Sequence, residues 1–104
     1  MRQMRILVMY DLPVGNVDER KKMNQFRKFL KKNGFIMLQE SVYTKLSLNN
    51  NSSKLVRNKI ENNVPKKGSV IILEITEKQF ANMKYVIGEK GEEILDDLSR
   101  FISI

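Results

Sequence analysis

Asp11 is the residue of this chain best placed to do chemistry. It follows a short apolar run, Met4 to Tyr10 (MRILVMY), and precedes Leu12-Pro13 and Gly15. The tip of a rigid strand fixes the geometry of whatever side chain it presents. A lone carboxylate in such a place suits two tasks: hydrogen bonding to loop amides, or a share in a Mg²⁺ site. Mg²⁺ is held by one or two carboxylates, with water and phosphate oxygens completing the shell. One Asp11 is thin provision for an ion, but a two-fold axis passing near it would bring a second from another copy. The chain contains no Cys and no His. Zinc clusters, thiol nucleophiles, Ser-His-Asp triads and imidazole acid–base pairs are therefore excluded. Carboxylate, hydroxyl, Lys and Arg chemistry remains, and a bound metal is its natural complement.

The second group of residues is basic. The formal charge is +7, from 19 Lys and Arg against 12 Asp and Glu. Such a surplus favours polyanionic partners through counterion release. It is concentrated: residues 18 to 32 hold seven basic and two acidic side chains. A face built for solubility mixes signs to gain i,i+4 pairs, so Arg20, Lys21, Lys22, Arg27, Lys28 and Lys31 read as a phosphate-contacting surface. Contacts of that kind carry no sequence specificity.

Regular elements must position these groups. Met4 to Tyr10 suits a strand buried on both faces. Asn16, three residues before Glu19, reads as an N-cap with a reciprocal partner. From there to Asn33 the spacing of Met23, Phe26, Phe29 and Leu30 predicts an amphipathic helix, closed by Gly34. Phe35 to Leu38 and Ser41 to Leu46 read as a strand pair, or one strand bent near Gln39-Glu40. Phe35 reads as core, and Tyr43 as the better candidate for an exposed or interface aromatic, although packing is the default for it too. Asn49 to Ser53 is a polar loop that caps a helix carrying Leu55, Val56, Ile60 and Val64, stopped by Pro65. Lys66-Lys67-Gly68 is a basic turn, and Ser69 to Ile75 a strong strand. Thr76 with Gln79 is a capping box. Tyr85 to Ile87 suits a short strand, Glu89 to Asp97 is weakly helical at best, and Phe101 to Ile104 is an apolar segment that needs a partner.

The order β-α-β(β)-α-β is that of an α+β, ferredoxin-like βαββαβ fold, an antiparallel sheet with two helices on one face. The chain reads as a single domain over 1–104, with 89–104 a C-terminal tail for dimer or partner docking. An apolar bare sheet face calls for dimerisation, with a C-terminal strand extending the sheet. The apolar run at residues 4–10 is too short for a membrane span or signal peptide, which points to a cytoplasmic location. The same element order is shared by RNA-recognition modules, an alternative that would bind single-stranded RNA without catalysis.

Taken together, Met9-Tyr10-Asp11-Leu12-Pro13, Phe26-Arg27-Lys28-Phe29-Leu30, Asn33-Gly34-Phe35-Ile36-Met37, Ser41-Val42-Tyr43, Pro65-Lys66-Lys67-Gly68, Thr76-Glu77-Lys78-Gln79-Phe80 and Gly88-Glu89 resemble, in order, the CRISPR-associated protein 2 family. The resemblance implies a homodimer held between two dimers of the larger adaptation integrase. There it would grip duplex prespacer DNA and set the spacing of two integration sites. It also implies a metal-dependent endoribonuclease or deoxyribonuclease in which Asp11 is catalytic and binds Mg²⁺, or Mn²⁺, between protomers. Met37 stands where some members described as nucleases carry a basic residue. This departure weighs against hydrolysis and leaves the scaffold role untouched.

Overall fold

The computed structural model describes residues 3–102. Four strands, β1 (Met4–Asp11), β2 (Ile36–Gln39), β3 (Val42–Ser47) and β4 (Ser69–Thr76), form one antiparallel sheet in the order β2-β3-β1-β4. β1 lies inside the sheet, which accounts for its near-continuous apolar sequence. Ile6, Val8 and Tyr10 point to one face, and Leu7 to the other.

The first face is covered by α1 (Val17–Lys32) and α2 (Asn50–Glu61). Phe26 and Leu30 of α1 and Ile60 of α2 close over Val8, Tyr10 and Tyr43. Asn16 caps α1 as expected, accepting from the Glu19 amide at 2.8 Å. Glu19 reaches back one residue further than a capping box requires and accepts from the Gly15 amide at 2.9 Å. Tyr43 is not an exposed aromatic. It is wholly buried, its ring stacked 6.1 Å from that of Tyr10. Its register opposite Val8 places it on the helix-covered face.

α2 begins earlier than its polar sequence suggests. Asn49 is the cap, and Asn50 to Ser53 form the first turn. The buried side therefore runs through Ser53, Val56 and Ile60, with the Ser53 and Ser47 hydroxyls 2.7 Å apart. Leu55 falls on the outer side, and Val64 lies past the helix end, exposed.

The second face departs most from expectation. It carries α3 (Glu77–Ala81), started by the Thr76–Gln79 capping box, and α4 (Glu92–Ile102). Glu89 to Asp97, expected to be weakly helical at best, contributes most of α4 because Ile94 and Leu98, four residues apart, pack on Leu7 and Phe80. The expected C-terminal strand is thus replaced by helix as far as Ile102, and Ser103-Ile104 lie outside the described residues. Tyr85 to Ile87 form no strand. They sit in a loop with Val86 and Ile87 exposed.

Beneath α3 and α4 lies a charge. Arg5 is fully buried on β1, its Nε donating to Glu77 Oε1 at 3.1 Å. Its other nitrogens pair with Glu77 Oε2 and with Asp97 of α4. The guanidinium also stands 4.3 Å from the centre of the Phe80 ring, a cation–π contact. The face expected to be bare is therefore half closed from within the chain. Ile71 and Leu73, alternating along β4, remain exposed, and β4 is an edge strand.

Candidate nucleic-acid interface and the Asp11 rim

Asp11 is the last residue of β1 and is exposed, opposite Ser69 of β4. Three connections surround this end of the sheet. The Tyr10 amide donates to the Ser41 carbonyl at 3.0 Å, tying in the β2–β3 turn. The β1–α1 loop leaves through Leu12 and Pro13. The α2–β4 turn presses on Asp11 itself: a Cβ at Gly68 would stand 2.6 Å from the Asp11 carbonyl oxygen, and Gly68 has φ +100°. Only glycine accommodates both the approach and the conformation.

Among the described residues, no group of three or more His, Cys, Asp or Glu side chains is placed to hold a metal ion. Asp11 is the carboxylate at the strand tip itself; Glu40 in the β2–β3 turn and Asp18 and Glu19 at the start of α1 are not grouped with it as a ligand set. That donor set does not make a metal centre within one chain.

The six basic residues of α1 read as phosphate-contacting are all exposed, as is the seventh, Lys32, but they do not form one surface. At about 3.6 residues per turn, Lys21 and Lys28 lie on the outer side, opposite the buried Phe26 and Leu30, with Arg20, Arg27 and Lys31 aligned along the adjoining flank. Lys22 falls on the far flank, facing the α2–β4 turn. It pairs with Asp18 at 3.1 Å, both side chains well exposed. Such a surface pair contributes little to stability. Arg20 donates to the Val14 carbonyl at 3.1 Å, bracing the β1–α1 loop. Burial, more than its neighbour Tyr43, pushes the Tyr10 hydroxyl up to about 12.

Some polar residues drew no attention in the sequence. Arg5 interrupts the apolar run of β1, and a charge inside a strand buried on both faces is itself a signal of a buried counter-charge. Lys45 donates to the Asn33 carbonyl at 2.6 Å, and Lys59 to the Asn33 side chain at 3.1 Å, so both lysines meet the C-terminal end of α1. Favourable interaction of cations with that end of the helix dipole is expected. Burial, and then the charge of Lys59, hold the Lys45 ammonium below its ordinary value.

The model of the family described as CRISPR associated protein Cas2 matches residues 4–83, from the first residue of β1 to just beyond α3. The chain belongs to the Cas2 family. A protein of Streptococcus mutans serotype c, named CRISPR-associated endoribonuclease Cas2, is 46% identical over 95% of this chain and 91% of its own length. A Treponema denticola protein of the same name is 44% identical over 95% of this chain and 98% of its own. A crystal structure of Cas2 superposes with a TM-score of 0.59 at 23% identity, covering 86% of this chain and 92% of that one. It supports the ferredoxin-like fold. The Cas2 match stops short of α4 (Glu92–Ile102), so the helix that shields the Arg5 side of the sheet lies beyond the span of the family model. Among the described residues, no helix is long and apolar enough to cross a membrane.

Proposed function

We propose that this protein is a CRISPR adaptation scaffold. It binds duplex prespacer DNA through α1 and, as a homodimer, bridges two dimers of the larger integrase in the cytoplasm. The observation that carries this reading is the outer side and one adjoining flank of α1, where Arg20, Lys21, Arg27, Lys28 and Lys31 stand exposed on a helix anchored by Phe26 and Leu30. Rigid, one-sided charge of this kind suits phosphate contact without base readout. The exposed Ile71 and Leu73, together with the open edge of β4, support a second copy as neighbour. The open part of the sheet carries these aliphatic side chains and no stacking aromatic, which favours the scaffold over an RNA-recognition module.

The test pairs binding with acquisition. Reversing Arg27 and Lys28 to Glu should weaken duplex binding and flatten its salt dependence. Asp11→Ala should leave new-spacer acquisition intact. Loss of acquisition in a folded, dimeric Asp11→Ala variant overturns the scaffold reading.

The names of the relatives favour a second reading, a metal-dependent phosphodiesterase acting on RNA or DNA. It needs a second Asp11 from a partner protomer, with Mg²⁺ or Mn²⁺ between them. Bound there, the ion would supply Lewis-acid activation of water. Equal cleavage by wild type and Asp11→Ala would remove this reading.

A further inference from the structure

The basic turn Lys66-Lys67-Gly68 belongs to neither the outer side of α1 nor the Asp11 carboxylate, yet it touches the surroundings of both. Gly68 packs on the Asp11 carbonyl and on Leu12, so the two lysines before it are held at the Asp11 end of the sheet. Lys22, the α1 lysine that faces away from the others, turns toward the same loop. Lys22 and Lys66 line two adjoining clefts between α1 and the α2–β4 turn, and Lys67 lines the one nearer Asp11. The further cleft holds the amides of Gln25 and Asn63 and no carboxylate. The nearer one also contains Asp18 and Glu19. Asp18 is paired with Lys22, and Glu19 is occupied by the Gly15 amide. No carboxylate among the described residues forms a salt bridge with Lys66 or Lys67, and both are exposed.

We infer that Lys22, Lys66 and Lys67 form a second phosphate-contacting strip, which leads a duplex backbone from the α1 flank to the Asp11 rim. The inference rests on the reading of the protein as a duplex-DNA binder. The strip's chemistry is that of point charges with short amide neighbours, suited to phosphate oxygens and indifferent to base identity. Lys66 and Lys67 carry most of the contact, because Asp18 beside Lys22 offsets part of that lysine's charge. The turn cannot swing away while Gly68 is seated on Asp11. A phosphodiester held by the strip therefore lies beside the carboxylate whichever chemistry, if any, Asp11 performs.

The experiment measures affinity for a labelled blunt DNA duplex by fluorescence anisotropy through a salt series, using the full chain. Lys66→Ser/Lys67→Ser is compared with Lys54→Ser/Lys84→Ser, which removes the same charge from exposed positions elsewhere. The turn variant should bind about tenfold more weakly at low salt, with the log–log salt slope reduced by about two. The control should stay close to wild type, and Lys66→Arg/Lys67→Arg should retain binding. A turn variant that behaves like the control, while Arg27→Glu/Lys28→Glu is weakened, overturns the strip and leaves the α1 interface standing. Wild-type protein without salt-dependent duplex affinity overturns both.

Discussion

Arg5 and Glu77 join β1 to the start of α3 through a guanidinium and a carboxylate that are both almost wholly buried. A buried pair returns little net stability over an apolar pair of the same shape, but either partner left alone is severely costly. Glu77→Ala should destabilise the fold by about 3–5 kcal/mol, measured by denaturant unfolding. Asp97→Asn should cost less, since that carboxylate is at the margin of the cluster, 15% exposed. Equal losses for the two variants would show that Glu77 is not the principal counter-charge.

Gly68 should resist substitution for reasons unrelated to charge. In Gly68→Ala the new methyl group meets the Asp11 carbonyl, and an L residue must hold φ +100°. A loss of roughly 1–3 kcal/mol is expected from the backbone conformation alone. Gly15→Ala is the contrast: its Cβ meets only the flexible end of Glu19 at 3.2 Å. Thermal unfolding of the two variants should separate them clearly.

Tyr10 predicts an alkaline limit. Its hydroxyl is raised from 10.0 to about 12 by burial first, then by Tyr43. The unfolded chain therefore releases this proton at lower pH than the folded one. The stability linked to Tyr10 is complete below about pH 10 and is lost as pH rises through about 12. Lys45 acts in the opposite sense. Its lowered value makes its share of stability present above 10.5 and lost as pH falls through the folded value. Tyr10→Phe should remove the Tyr10 share, so the stability gap between variant and wild type should shift in the variant's favour between pH 10 and 12. A pH-independent gap would mean that the hydroxyl titrates normally.

The rotated stripe of α2 can be checked by two truncations. Leu55 is 69% exposed and Ile60 is 1% exposed. Ile60→Ala should cost roughly 2–5 kcal/mol, whereas Leu55→Ala should stay within about 0.5 kcal/mol. Comparable losses would restore the stripe that the apolar spacing suggested.

These residues also show what was legible in the sequence. β1, α1 and β4 were plain because each obeys one local rule: a continuous apolar run, a capped amphipathic period, a strand following a turn. The place of Asp11 at a strand tip followed directly. Leu55 misled because α2 starts in a polar segment, and Asn49 as the cap shifts which residues face inward. Tyr43 misled because the face it occupies depends on its register with Val8, and strand pairing is not a local property. α4 was hidden because its sequence is acidic and follows Gly91, while the contacts that order it, to Leu7, Phe80 and Arg5, come from residues far along the chain. The division of the α1 lysines between two sides was available from helical period alone. The turn that gives Lys22 its neighbours was not.

The sheet separates α1 from α4, and the two helices carry opposite charge. α1 presents its arginines and lysines on one side, while α4, whose Asp97 is taken up by Arg5, exposes Glu93 and Asp96 on the other. The molecule is thus an electric dipole with the sheet as its midplane. Near a polyanion the field exerts a torque as well as an attraction, turning the lysine side forward before any contact forms. Encounters begin in the right orientation, and salt should slow association by removing that alignment as well as the pull. The same polarity makes the α4 side the less favourable place for a second polyanion once DNA is seated on the α1 side.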